Sequence, residues 1–369
     1  MNKIILIIIS SCLCLTSVKA QTLTKEAMNN FASYTQKPEI STLQKAKKNI
    51  DDAYKTKKDS LNYRINLIRG LIYSSLAYAD SSRKISYDKD PIDEALFALD
   101  KLKNPKQNYE HESEINFIRK QLSNAWLTKA RQASNSLNYT DAFNAYLWVD
   151  SLSTDKYLAK HNLAVLSEKL GHNDRAIQYY KYLISDNNRS LPDYYLALSN
   201  LYEQTRNSNN ALTVIEQGRK AFPGNKDLLF KQINTYADNG AYEMVSTLVE
   251  DALEFSPENL DLIYLAGFSF EMIGKTKKAE EYYKKIISVE QNNYEGNYAL
   301  GLLYLNSYLK SSNKDKSLLN NSRKYLIQAG EINPNAINVL KSLSILYNIT
   351  GNTIELQRIK NKLSQITIN

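Results

Sequence analysis

Residues 260–293 read LDLIYLAGFSFEMIGKTKKAEEYYKKIISVEQNN, and this stretch decides the fold. It carries the pair Ala266-Gly267, then Phe270, Gly274, Ala279 and Tyr283. The same classes of residue recur upstream in the same phase. Tyr236, Gly240, Ala252 and Pro257 fill the preceding period, and Tyr202, Ala211 and Pro223 the one before it. Leu163-Ala164, Gly171, Ala176 and Tyr180 open the series. A repeat of about 34 residues with small, aromatic and Pro positions in fixed phase is the mark of a helical solenoid. One such helix pair cannot bury its own apolar face, so stability comes from stacking on neighbours.

The rest of the chain extends the pattern less regularly. Residues 21–38 predict a short helix with loose ends, closed by Pro38. Leu43, Ala46, Ile50, Ala53 and Tyr54 mark one face of a helix. Its other face carries lysines interleaved with Asp51, Asp52 and Asp59, a solvated surface. Leu61 to Tyr78 is a long helix, followed by a loop over Ser81–Pro91 and a helix ended by Pro105. Trp126 stands at the front of a repeat, whose Ala142 and Tyr146 anticipate Ala176 and Tyr180. Beyond Asn293, Leu300-Gly301 and Tyr304 open a repeat whose second helix arrives late. About nine extra residues around 309–316 therefore read as a protruding polar loop. Leu343, Tyr347 and Gly351 begin the last repeat. The expected organisation is a leader over 1–20, divergent repeats over 21–122, the main array over 123–336, and a closing repeat with a capping helix over 337–369.

Composition agrees with helices joined by short links: 369 residues contain only 11 Gly and 7 Pro. Lys3, the apolar run Ile4–Ile9 and Val18-Lys19-Ala20 form a secretory leader too short to span a membrane. The expected place is the periplasm, the outer membrane or the cell surface. A competing reading of Ile9-Ser10-Ser11-Cys12 as a lipobox would put a lipid anchor on Cys12. Both cysteines, Cys12 and Cys14, lie in this leader, so no disulfide or thiolate chemistry is expected after its removal. The net charge is +8, but residues 190–300 hold 10 Lys and Arg against 16 Asp and Glu. An acidic middle between basic ends is a poor phosphate track, so nucleic acid is not an expected partner.

Nothing in the sequence points to chemistry. His111, His161 and His172 do not fall at metal-ligand spacing, and neither HExxH nor GxSxG occurs. Gly267, Gly274 and Gly301 sit in repeat phase, not in a phosphate loop. No enzyme activity, cofactor or metal is expected. The 27 tyrosines read as packing rings with the hydroxyl at an edge.

The repeated positions resemble the tetratricopeptide family (TPR), most clearly over 157–293. The resemblance implies an all-α, right-handed helical-hairpin solenoid of about seven to eight repeats. The composition and the Lys-Ala-Gln junction look like exported proteins of Bacteroidetes-type bacteria. In that family the first helix of each repeat lines a groove that holds a peptide or partner helix. Phasing this chain accordingly puts Asp193, Leu196, Asn200 and Glu203 in the groove, followed by Asp227, Phe230 and Asn234. Asp261, Tyr264, Phe268 and Glu271 come next, then Glu295 and Tyr298. Some members clamp a terminal carboxylate with groove lysines. Here Leu196, Phe230, Tyr264 and Tyr298 stand instead, which speaks against a clamp. The implied ligand is a protein or peptide with basic and apolar anchors, held by an envelope scaffold. The alternative is a periplasmic, chaperone-like holder of unfolded clients.

Overall fold

The computed structural model describes residues 20–368. Residues 1–19, which carry most of the leader and the lipid-anchor alternative at Cys12, lie outside that range. Among the described residues all regular structure is α-helical. The chain forms two compact units, one ending at Ser190 and one beginning at Leu191.

The first unit contains α1 (20–36), α2 (Ile40–Ala53), α3 (Lys57–Ser60), α4 (Tyr63–Ala79), α5 (Pro91–Asp100) and α6 (Pro105–Glu110). It continues with α7 (Glu112–Asn135), α8 (Tyr139–Leu152), α9 (Tyr157–Lys169) and α10 (Asn173–Ser185). The second unit contains α11 (Pro192–Gln204), α12 (Ser208–Ala221), α13 (Lys226–Asp238), α14 (Tyr242–Phe255) and α15 (Leu260–Met272). It closes with α16 (Thr276–Val289), α17 (Tyr294–Lys310), α18 (Lys316–Ile332), α19 (Ile337–Ile349) and α20 (Thr353–Ile368). Within each unit successive long helices pack side by side.

With the short α3 and α6 set aside, the described residues make nine helix pairs. That exceeds the seven to eight expected, and the added pair is α1/α2. The short helix expected over 21–38 forms as α1, and it is packed along its middle. Ala27 and Phe31 of α1 share a buried core with Leu43 and Ala46 of α2. Pro105 likewise does not end α5, which stops at Asp100. It occupies the first turn of α6, where its missing N–H costs nothing.

One turn joins the two helices of most pairs. After α9 the N–H of His172 donates to the Ser167 carbonyl, and that of Gly171 to Glu168. The same two bonds recur after α13, α15 and α19, with Gly240, Gly274 and Gly351 at φ near +70°. This C-terminal cap needs one left-handed residue, which glycine adopts without Cβ strain. Leu137 and Arg206 take that position after α7 and α11 at φ 58°. Asn225, Asn259 and Asn293 start α13, α15 and α17 by accepting a backbone N–H three residues on.

Packing inside the pairs depends on missing side chains. A Cβ on Gly267 would lie 2.6 Å from the Tyr283 ring, and one on Gly301 2.7 Å from Leu326. The extra residues near 309–316 mostly lengthen helices. Both α17 and α18 have 17 residues, against 13 and 14 in the pair before. The polar loop is reduced to 311–315. The apolar pattern continues through the addition: Leu318 packs on one buried core and Leu319 on the next. Asp315 then caps α18 by accepting the Ser317 N–H at 2.8 Å.

The start of the first unit is built differently. Helix α4 is enclosed almost all round, with Ile65 to Ala77 buried and α2, α5 and α7 against it. Arg69, only 4% exposed, lies at its centre. Its guanidinium donates to Asp51 at 2.7 Å and to Glu94, between the rings of Tyr54 and Tyr73. The Tyr73 hydroxyl donates to Asp51 as well, at 2.8 Å. The long loop after α4 is tied to Asp80, which accepts from the N–H groups of Lys84 and Ile85 and from the Tyr87 hydroxyl. Burial works against the Asp80 carboxylate, but these donors and Arg83 hold its pKa below the ordinary value.

Helix α7 runs without a break through residue 122, where the sequence phasing passes from divergent to regular. Ile115, Ile118 and Leu122 belong to the core around α4, and Ala130 to the core it shares with α8 and α9. Trp126, between them, packs on both.

Candidate partner-binding face

The face phased from the sequence lies within the second unit, on its odd-numbered helices. α11 packs along α13, and α15 along α17. Each helix presents its residues in the same order. Asp193, Asp227, Asp261 and Glu295 are exposed in the first turns of α11, α13, α15 and α17. There they complement the positive end of the helix dipole, which stabilises an exposed terminus by about 0.3–1 kcal/mol. One turn on stand Leu196, Phe230, Tyr264 and Tyr298, followed by Asn200, Asn234 and Phe268. Both asparagines are exposed. Glu203 and Glu271 close α11 and α15.

The aromatic row is preassembled. Tyr264 stacks on Phe268 with ring centroids 6.3 Å apart and 7° between planes. Tyr242 meets Phe268 edge-on at 5.2 Å, and Tyr294 stacks on Tyr298 at 5.9 Å. Tyr264 remains 37% exposed. Burial, then the charges of Glu271 and Glu295 and the neighbouring phenol of Tyr298, push its hydroxyl pKa up. Phe230 packs against the core shared by α13 to α17, and Tyr298 against the core that follows it.

Two of the expected groove acids have internal partners. Lys231 of α13 donates to Glu203 of α11 at 2.6 Å, and the Thr235 hydroxyl points to the same carboxylate. Glu271 accepts the Tyr283 hydroxyl at 3.0 Å. Burial raises the Glu271 pKa against the pull of that bond and of Lys310. The reason is repeat geometry. Glu168 and Tyr180 form the same latch in the first unit, at the same spacing of 12 residues. The last acid of the first helix reaches the ring of the second and serves the pair itself. Of the expected acids, the exposed ones are those of the first-turn row.

Lys231, Tyr242, Tyr294 and Lys310 were not anticipated at this face. Tyr294 and Tyr298 are four apart on one helix, a spacing that places rings together. Lys231 falls on the same side of α13 as Thr235 by the same rule. The histidines lie elsewhere: His111 contacts Glu114, His172 meets the Phe143 ring, and His161 is on α9. Among the described residues no three His, Cys, Asp or Glu side chains converge as a metal site. No described helix is long and apolar enough to cross a membrane.

The sequence matches no family model and no curated protein. Among solved structures, MamA is similar at 18% identity over 46% of this chain and 94% of its own, with a TM-score of 0.40. YrrB, described as a TPR protein with an unusual peptide-binding site, is similar at 17% identity over 55% of this chain and 98% of its own, with a TM-score of 0.43. A MamA fragment from Desulfovibrio magneticus RS-1 is similar at 15% identity over 49% and 97%, with a TM-score of 0.39. No partner or activity follows from likeness at these levels.

Proposed function

We propose that the chain is an exported, non-enzymatic scaffold of the bacterial cell envelope. Its face on α11, α13, α15 and α17 binds a partner protein or peptide through basic and apolar anchors. One observation carries this reading. The first-turn carboxylates stay exposed beside a preassembled row of half-exposed rings, while acids that serve the fold, Glu203 and Glu271, are already engaged. Rings stacked in advance lose little side-chain entropy on binding, and exposed carboxylates steer a basic partner. Export is supported by the leader read in residues 1–20.

The test is crosslinking in the intact envelope followed by capture of the full chain. Asp261→Lys with Glu295→Lys reverses two exposed charges without touching the Glu271–Tyr283 latch. Capture of the native partner should fall by about tenfold or more, with the helical signal unchanged. Unchanged capture rejects the face, and a chain absent from the envelope fraction rejects export. Capture of many unrelated clients, insensitive to the charge reversal, would favour the holder reading.

A further inference from the structure

The first unit carries a further candidate site, on helices other than those of the face just described. Between α7 and α8 is a pocket of about 460 Å³, within the range of small-ligand sites. Its walls include Trp126, Trp148, Lys129, Gln132, Asp141 and Asn144. Trp126 and Trp148 are the chain's two tryptophans. They stack at 5.5 Å with 8° between ring planes. Trp126 is partly buried with its indole N–H enclosed and without an acceptor, so it contributes a ring surface and not a donor. Trp148 remains 42% exposed, so indole surface is left uncovered beside a polar wall.

The polar lining narrows the ligand class. Lys129 places its ammonium 5.1 Å over the Trp126 ring and 3.9 Å from the Asp90 carboxylate. The cation that an indole attracts is thus supplied by the protein itself, which disfavours a cationic guest. Lys129 is set against the carboxylates of Asp90 and Asp141, so the pocket has no net pull on an anion either. Gln132 and Asn144 are exposed amides, each able both to donate and to accept. Asp141 is oriented by Asn138, whose amide donates to it at 2.6 Å. A neutral molecule with an apolar flat face and a rim of hydroxyl groups complements such walls. A sugar ring has that form: its C–H face covers an indole while its hydroxyls pair with amides and a carboxylate. An extended peptide would need a track continuing onto neighbouring helix pairs, whereas this pocket is contained in one.

We propose that the α7/α8 pocket binds a neutral saccharide, with a pyranose ring on Trp148 and its hydroxyls on Gln132, Asn144 and Asp141. This makes the first unit a glycan-binding module, independent of any partner on the second unit.

The two stacked indoles make the test direct, because all tryptophan emission comes from this pocket. The full chain is titrated with maltoheptaose, cellohexaose, xylohexaose, mannohexaose and chitohexaose up to about 10 mM, a range that reaches weak millimolar binding. At least one should change the emission saturably. Calorimetry with that sugar should show no binding to Trp148→Ala and about tenfold weaker binding to Gln132→Ala combined with Asn144→Ala. Trp148→Phe, which keeps a ring, should retain part of the affinity and guards against a folding artefact. A flat response to all five sugars overturns the proposal. So does wild-type affinity in Trp148→Ala, or a response to arginine- or proline-rich peptides but to no sugar.

Discussion

The opening of the first unit and the middle of the second solve the same packing problem with different chemistry. Around α4 the chain encloses a guanidinium between two carboxylates and two tyrosine rings. Around α15 and α16 it leaves out a side chain, so that Tyr283 can lie on Gly267. The first solution ties three helices, α2, α4 and α5, to one buried cation. The second joins only the two helices of one pair, as Gly267 does with Tyr283 and Gly301 with Leu326, and can be copied from pair to pair. An array that grows by copying needs the second kind, and a unit that must not slip in register gains from the first.

The sharpest way to break this comparison is Arg69→Ala. It leaves Asp51 and Glu94 partly buried without their shared cation, and because Lys47 still reaches Asp51 at 3.0 Å the cost should lie at the low end for a broken buried pair, about 3 kcal/mol. Hydrogen exchange should show protection lost in α2, α4 and α5 while α13 to α18 keep theirs. Equal loss in both units would mean that the ionic centre is not local to the first.

Gly267→Ala probes the copied solution. Helix propensity alone would stabilise the variant by roughly 0.5–1 kcal/mol. The new Cβ, however, meets the ring of Tyr283, which is 1% exposed and has no room to yield. A net destabilisation of about 1–3 kcal/mol in denaturant unfolding is expected. A gain would show that the close approach is not tight.

The smallest effect sharpens the comparison at the turns. Arg206 holds the left-handed position that glycine holds after α13 and α15. Arg206→Gly should raise the melting stability of the second unit by a few tenths to about 1 kcal/mol, because the strain exceeds glycine's entropic penalty. Leu137→Gly should do the same for the first unit. Loss of stability in either would assign those side chains a packing role.

Where the residues carry a period, the fold could be read directly. Gly171, Gly240 and Gly274 recur in phase and fall in the turns, and Ala176, Ala252 and Ala279 recur in phase and are buried, whereas Trp126, expected at the front of a pair, stands in the middle of α7 because that helix starts at Glu112. Reading failed where the physics is not periodic. Both helices of the first pair were legible, but not their pairing, because Ala27 and Phe31 find their partners across Pro38 with no copy of the pattern to align. The extra residues near 309–316 looked like loop because their polar centre is conspicuous, while Leu318 and Leu319 continue buried faces on either side. The positions of the candidate face could be phased, but the neighbours that engage its side chains could not. Whether Glu271 greets a ligand or serves Tyr283 depends on a ring 12 residues away on another helix. Lys231 cancels Glu203 only because α11 and α13 lie together.

Helix α7 sets a limit on how this molecule can change length. Its first half is embedded in the shell around α4, and its second half starts the regular pairs. From α9 onward, an additional pair spliced in whole would find a matching surface on both sides. The same splice made before α7 would have to part a helix from the centre it encloses. Insertion of a whole module by engineering is therefore expected to be tolerated only beyond α8, with the earlier helices behaving as one block.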